Sequence, residues 1–228
     1  MKKKLVGLLA GAMVTMALGT AGAVGIDYNS TIIGNELFSP YLTRVQTETF
    51  NNVTPFGPIA SATGFDQGWG WNGAASIFNG SQLKSAAPFG VLTPDTSNFL
   101  SVPNPNSNGT LVLNLGTDYN YFGLRWGSVD TFNTITFKNN GVTVASFTGS
   151  QVVSPNVAAG SHTDPLNNLY VNFMFGPDVF DSVEFASTQF AFEMDNLAVG
   201  SVPEPGTLIL LGAGIVGLGI YGRRRSKK

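Results

Sequence analysis

Cysteine is absent from the chain of 228 residues, and histidine occurs once, as His162. Without thiols the protein can form no disulfide, no thiol nucleophile and no cysteine-ligated zinc site. Zinc catalysis normally uses two or three histidine or cysteine ligands, so the single histidine nearly excludes that chemistry as well. The stability of the fold must therefore come from burial of an apolar core.

Basic residues are scarce in the middle of the chain. Residues 24–201 hold thirteen acidic residues but only four basic ones, which are Arg44, Lys84, Arg125 and Lys138. This segment therefore has a net charge of −9, whereas the whole chain has −2, because the cations are concentrated at its two ends. Nucleic acid is an unfavourable partner, since phosphate binding requires a positively charged surface.

Long apolar runs occur only at the two ends. The first run covers residues 5–18, follows three lysines and precedes small residues at Ala21 and Ala23. This order is typical of a secretory signal peptide, which we predict over residues 1–23 with cleavage after Ala23. The alternative is an uncleaved N-terminal anchor. In the first case the precursor engages the Sec translocon and the rest of the chain is exported.

The second apolar run covers residues 207–221 and includes the pattern G-x-G-x-x-G at Gly212, Gly214 and Gly217. A dinucleotide site needs a preceding strand, a following helix and a later acidic residue, and the sequence offers none of these here. A transmembrane helix is favoured, although fifteen residues reach only about 22 Å across a hydrocarbon core of about 30 Å. Such a short span can still cross the membrane if the arginine side chains that follow it snorkel to the membrane surface. The cytoplasmic side is set by the basic end of the chain, which consists of Arg223, Arg224, Arg225, Lys227 and Lys228.

A short proline motif precedes this run and consists of Val202, Pro203, Glu204 and Pro205. Together with the apolar segment and the basic end, it closely resembles the PEP-CTERM sorting signal of Gram-negative bacteria. The resemblance covers residues 202–228 and implies recognition and cutting by an exosortase, a temporary anchor in the inner membrane, and a role near exopolysaccharide or biofilm. The prolines fix φ and hold the segment extended, which suits a protease. The alternative is a plain C-terminal tail anchor.

Residues 24–201 are predicted to form one all-β ectodomain. Leu111, Leu113 and Leu115 share one strand face, and Asn140 with Gly141 supplies the positive-φ turn of a β-hairpin. No convincing helical stripe occurs between residues 26 and 200, and turn residues recur about every ten positions, which favours an antiparallel β-sandwich. Two segments resemble sequences from the jelly-roll ectodomains of PEP-CTERM proteins, namely YFGLRWGSVDTFNTITF and AFEMDNLAVG. The resemblance implies a galactose-binding-like or concanavalin-like sandwich of about eight to ten strands.

Several residues could carry binding or chemistry. Trp69 and Trp71 lie in a Gly- and Asn-rich loop, where their rings could stack on sugars. The two rings could equally fix the loop to the core. Trp126, in contrast, is predicted to be a core residue. A Ser-His-Asp triad would have to use His162, with Ser161 and Asp164 close by in sequence, and an exposed loop histidine is favoured. Glycoside hydrolysis needs two carboxylates, for which the sequence offers Glu36, Glu48, Glu184 and Glu193.

Metal binding has no clear signature. Asp195 and Asn196 could contribute to a calcium site, but the ordered D-x-D-x-D-G spacing is missing. We therefore predict no cofactor, with calcium left open, and a non-enzymatic surface or extracellular-matrix protein whose partners are the exosortase, the Sec translocon, the inner membrane and an extracellular polysaccharide. The alternatives are a secreted glycoside hydrolase and a purely structural adhesion module.

Overall fold

A computed structural model describes residues 14–16 (backbone only), 24–93, 95–154 and 157–202. Most of the predicted signal peptide and all residues of the tail beyond Val202 lie outside the described residues. Within the described part of the chain, no helix has the length and apolar character needed to cross a membrane. The predicted span over residues 207–221 belongs to the segment that is not described.

The described chain is almost entirely β-structure. A 3₁₀ turn covers Ile59–Ser61 and one short helix, α1, covers Gly149–Val152. The strands are β1 (Val14–Met16), β2 (Val24–Asp27), β3 (Thr31–Ile33), β4 (Glu36–Phe38), β5 (Val45–Glu48), β6 (Gly57–Pro58), β7 (Gly70–Gly73), β8 (Ser76–Asn79), β9 (Asn98–Val102), β10 (Gly109–Tyr119), β11 (Tyr121–Gly127), β12 (Asn133–Asn139), β13 (Val142–Thr148), β14 (Leu169–Met174), β15 (Phe180–Ser187) and β16 (Phe192–Gly200).

Two antiparallel sheets form a sandwich, which confirms the predicted fold class. The larger sheet has nine strands in the order β1-β2-β14-β11-β16-β9-β8-β6, with β5 also paired to β16. The smaller sheet has the order β13-β12-β15-β10-β7, and β3 with β4 forms a separate hairpin. The described chain has more strands than the eight to ten predicted. Several of the additional strands are only two to four residues long and lie in segments whose composition is typical of loops.

The core lies between the two sheets and is rich in phenylalanine. In β10 the alternation of Leu111, Leu113 and Leu115 buries all three side chains, as the sequence pattern predicts. The Phe137 ring of β12 lies 4.8 to 5.1 Å from those of Phe173, Phe175 and Phe180, in tilted or edge-to-face geometry. Such aromatic contacts add specificity to the apolar burial that stabilises the sandwich.

The larger sheet is buried on its outer face as well as on its core face. Every residue of β11 and β16 is buried, including Arg125 and Asp195. The loops and the β3–β4 hairpin cover this outer face: the Ser39 and Tyr121 hydroxyls are 2.7 Å apart, and Arg125 Nη2 donates to the Pro88 carbonyl at 3.1 Å. A layer of polar side chains is therefore enclosed between the sheet and its cover.

Candidate functional site

A cavity of about 210 Å³ lies where the start of β16 meets the loops around residues 81–86 and 128–130. Most of the residues that line it are polar. We call it the Glu193 cavity; the residues that matter for its chemistry are Lys84, Ser85, Asp130, His162, Phe190 and Glu193. It brings together side chains that are far apart in the sequence.

Glu193 is the second residue of β16, and its side chain points away from the core into this cavity. Its Oε1 accepts the Ala86 backbone N–H at 2.9 Å, whereas its Oε2 is buried without a hydrogen-bond partner. The Ser85 hydroxyl is also buried without a partner. Buried polar atoms are normally hydrogen-bonded, so two unpartnered oxygens on residues that line one cavity make this cavity a candidate site.

Burial raises the pKa values of both carboxyl groups of the cavity, but to different extents. Desolvation, with a smaller contribution from the charge of Asp130, raises the pKa of Glu193 to about 8. Desolvation raises the pKa of Asp130 to about 6. At neutral pH Glu193 is therefore mostly protonated and can donate a hydrogen bond, while Asp130 is mostly ionised and can accept one.

The cation and the aromatic ring at the cavity are close to each other. Lys84 Nζ lies 4.8 Å from the centroid of the Phe190 ring, within the range of a cation–π contact. His162 is exposed and also lines the cavity. The cavity thus offers hydrogen-bond donors and acceptors next to a small apolar surface.

The Ser161, His162 and Asp164 segment does not form a catalytic triad. Ser161 Oγ accepts the Asp164 N–H at 3.2 Å, and Asp164 Oδ1 accepts the Leu166 N–H at 2.9 Å, so both side chains stabilise the loop. The exposed loop position of His162 agrees with the interpretation that the sequence favours. The sequence analysis treats His162 and Glu193 as separate candidates and does not identify Lys84, Ser85 and Asp130 as site residues. No short motif links these residues, because they come together only in the folded chain.

The two tryptophans that could stack on glycans both contact the protein core. Trp69 is 8% exposed and belongs to the core. The Trp71 ring stacks on Phe65 at 5.5 Å and lies 5.8 Å from Phe50. These contacts favour the other interpretation, in which both residues fix their segment to the core, although Trp71 lies in β7 and is only partly buried. Stacking of Trp69 and Trp71 on glycans stays a prediction. Trp126 is core, as predicted, and stacks on Phe192 at 4.1 Å.

Two of the other predicted carboxylates have structural roles. Glu48 is buried, and its two oxygens accept the backbone N–H groups of Phe50 and Gln67, each at 3.0 Å. Glu184 forms a 2.8 Å ion pair with Lys138 on the smaller sheet. That ion pair borders an open depression of about 560 Å³ lined in part by Lys138, which is larger than the Glu193 cavity but contains none of the buried unpartnered atoms of the described chain. The smaller cavity is the better candidate.

A second group of carboxylates lies under the cover of the larger sheet. Glu36, Asp95 and Asp195 each place one carboxylate oxygen within 4.8 Å of the others, and we call them the carboxylate cluster. Asp95 also forms an ion pair with the buried Arg125. Such a group of hard oxygen ligands could hold a divalent cation.

The last described residues connect the sandwich to the C-terminal tail. The Val202 N–H donates to Asn120 Oδ1 at 2.8 Å, and Asn120 Nδ2 donates to the Val202 carbonyl at 3.1 Å. Asn120 therefore holds the chain against the end of the sandwich immediately before Pro203. The rest of the predicted motif, Glu204 and Pro205 included, lies outside the described residues.

Comparison with known proteins identifies this tail. Residues 201–225 match the PEP-CTERM protein-sorting motif, which confirms the resemblance predicted from the sequence. The motif begins directly after Gly200, the last residue of β16. No curated protein matches the chain significantly.

Two solved structures are weakly similar to the chain. One is CpGH89CBM32-6 produced by Clostridium perfringens, with 10% identity, a TM-score of 0.32, and coverage of 56% of this chain and 94% of that one. The other is the K2 cleaved adhesin domain of Lys-gingipain, with 14% identity, a TM-score of 0.33, and coverage of 68% of this chain and 98% of that one.

Proposed function

We propose that this protein is an exported surface protein whose tail is recognised and cut by an exosortase, which leaves the β-sandwich at the cell surface or in an extracellular matrix. The observation that carries this proposal is the sorting motif over residues 201–225, which starts where the last strand of the sandwich ends. The acidic ectodomain, with a net charge of −9 over residues 24–201, suits a soluble exported module.

Analysis of the mature protein's two ends tests the sorting step. In a host with an active exosortase, mass spectrometry should find a chain that begins at Val24 and ends near Val202. In a host without the enzyme, the tail should remain and the protein should stay in the membrane fraction. Replacing Pro203, Glu204 and Pro205 together by alanine should give the same retention in the host that has the enzyme.

Pro165→Ala is the matched control, because this proline is exposed in a loop far from the tail in sequence. It should be processed as the unaltered protein is. Recovery of the unprocessed chain from the cytosol, or normal cutting of the triple alanine variant, would refute the proposal.

For the ectodomain we propose a non-enzymatic binding role, with the Glu193 cavity taking a polyhydroxylated ligand such as one sugar residue of an extracellular polysaccharide. Two features support this ligand class. Glu193 Oε2 and Ser85 Oγ are buried without partners, and a sugar hydroxyl can both donate to and accept from such atoms. The volume of about 210 Å³ is below the range of roughly 300–1,000 Å³ that suits drug-sized ligands, which favours a single small ring.

Binding measurements with the polysaccharide of the host and with its component monosaccharides test this role. Asp130→Asn and Ser85→Ala should each weaken binding, while Thr163→Ala, an exposed neighbour of His162, should leave it unchanged. Binding that is insensitive to both cavity variants, or no binding to any sugar, would contradict the proposal and favour a purely structural adhesion module.

Glycoside hydrolysis is the second candidate function, and one observation favours it. Asp130 and Glu193 line the same cavity, with pKa values of about 6 and about 8, which are the properties of a base and an acid at neutral pH. Our proposal expects no new reducing ends when the protein is incubated with the polysaccharide. Release of reducing ends that Glu193→Gln abolishes would establish the enzyme instead.

A further inference from the structure

The carboxylate cluster joins three separate parts of the fold. Glu36 belongs to β4, Asp95 to the loop that precedes β9, and Asp195 to β16. Their nearest oxygens lie within 4.8 Å of one another. Two ligands on opposite sides of one Ca²⁺ would be about 4.6–5.2 Å apart, since each Ca²⁺–oxygen distance is about 2.3–2.6 Å. Three oxygens within this limit can therefore share a single calcium ion.

The cluster has more negative charge than its surroundings neutralise. Arg125 is the one basic residue that forms an ion pair there in the described chain, and its partner is Asp95. Asp195 is fully buried. Within the described residues its hydrogen-bond donors are neutral, the Ser97 hydroxyl at 3.1 Å and the Asn196 N–H at 2.7 Å, although the charge of Arg125 also acts on it. Buried carboxylates without a compensating cation are costly, and a divalent ion would balance the two remaining charges.

The side chain of Asn196 supplies an independent indication of a ligand. Asn196 is fully buried at a bulge in β16, with φ of 49°, and its Nδ2 donates to Glu36 Oε2 at 3.0 Å and to the Leu37 carbonyl at 3.1 Å. Its Oδ1, on the same amide group, is buried and has no hydrogen-bond partner. Amide oxygens are common calcium ligands, so this orphan oxygen, on the amide group whose nitrogen contacts Glu36, is a fourth candidate ligand.

We infer that Glu36, Asp95, Asp195 and Asn196 form a calcium-binding site that fixes the β3–β4 hairpin and the loop before β9 to the last strand of the sandwich. All candidate ligands are hard oxygens, as Ca²⁺ requires. Mg²⁺ fits less well, because its ligands lie at about 2.0–2.1 Å and it retains several waters. The competing arrangement has no metal and a proton on Asp195. Burial and the charges of Asp95 and Glu36 raise the pKa of Asp195, whereas the charge of Arg125 lowers it.

Calcium titration of the full chain, purified in detergent and stripped with EGTA, distinguishes the two arrangements. We expect isothermal titration calorimetry with CaCl₂ to give one ion per chain and the midpoint of thermal unfolding to rise with calcium. Glu36→Gln should weaken calcium binding at least tenfold, and because Glu36 is only half-buried this variant should still fold. Asp195→Asn should weaken it further.

Asp118→Asn is the matched control, since Asp118 is an exposed carboxylate outside the cluster. It should bind calcium as the unaltered chain does. The inference is overturned if the stripped chain takes up no calcium at millimolar concentrations, if it prefers MgCl₂ to CaCl₂, or if Glu36→Gln binds calcium with unchanged affinity. This site is distinct from the Glu193 cavity, so failure here leaves the proposed function untouched.

Discussion

Gly123 shows how single residues allow a polar layer to exist under the cover of the larger sheet. A Cβ at this position would come within 2.4 Å of the Tyr121 hydroxyl and 2.7 Å of the Tyr170 hydroxyl. The absence of a side chain therefore lets the two tyrosines cross over the strand. Tyr121 then donates to Asn172 at 2.6 Å, and Tyr170 donates to the Asn196 carbonyl at 3.0 Å. These contacts satisfy buried polar groups that would otherwise destabilise the sheet.

Glu193 should make the stability of the protein depend on pH. The unfolded chain releases this proton near the ordinary pKa of 4.5, whereas the folded state keeps it up to about pH 8. Between these values the folded state binds more protons, so the free energy of unfolding falls as pH rises from about 4.5 to about 8. The stabilising proton is fully effective below this window and lost above it.

Glu193→Gln should reduce this dependence, because glutamine keeps an acceptor for Ala86 and carries no charge at any pH. Urea unfolding at several pH values between 5 and 9 measures the pH dependence of the free energy of unfolding. We expect the change in this free energy over the window to be smaller in the variant, by an amount on the order of a few kcal/mol. Asp130 contributes in the same direction, so part of the slope should remain. Identical slopes for the variant and the unaltered chain would show that Glu193 is not buried as described.

At the scale of elements, the β12–β13 hairpin is the part that the sequence predicts best. Asn140 and Gly141 adopt φ of 49° and 77°, as a tight turn requires, and the strands pair from Asn139 with Val142 to Thr134 with Thr148. Local turn chemistry and alternation are sufficient here because both strands and their turn are contiguous in the sequence.

Gly141→Ala tests whether the turn conformation itself contributes to stability. A Cβ would meet no atom within 4 Å, so the expected loss of about 1 kcal/mol comes only from the positive φ. Gly68→Ala is the control, because this glycine also has open space around it but lacks a positive φ, and it should be close to neutral. Thermal unfolding of both variants gives the comparison, and equal effects would contradict the explanation.

The cover over the larger sheet could not be predicted, because the segments that form it are distant in the sequence from the strands that they cover. The alternation of β10 indicates its core face, yet β11 and β16 are buried on both faces and show no such contrast. Their outer faces are covered by loops that contain little regular structure and whose path the sequence does not specify. For the same reason, the sequence analysis could select Glu36, Glu193, Asp195 and Asn196 as candidate residues. It could not show which of their side chains lie close together in the folded chain.

At the scale of the whole molecule, the core of the described chain lies within the predicted ectodomain. All residues of the hydrophobic cluster in the described chain lie between Val24 and Val199. The chain enters the sorting motif directly after the end of β16, and Asn120 holds Val202 against the sandwich. An exosortase would therefore act beside a folded sandwich, and cutting near the motif would remove no core residue.

A fragment of residues 24–202 should accordingly fold without the signal peptide or the tail. We expect its thermal unfolding midpoint to match that of the full chain in detergent at equal calcium concentration, since both retain the same core and the contacts of Asn120 with Val202. A fragment that ends at Leu197 should be much less stable, because it loses the pairing of Val199 and Gly200 with β5 and β11. Circular dichroism and calorimetry of the three proteins provide the test. If the longer fragment were unfolded, the mature product of exosortase cutting could not be a free sandwich.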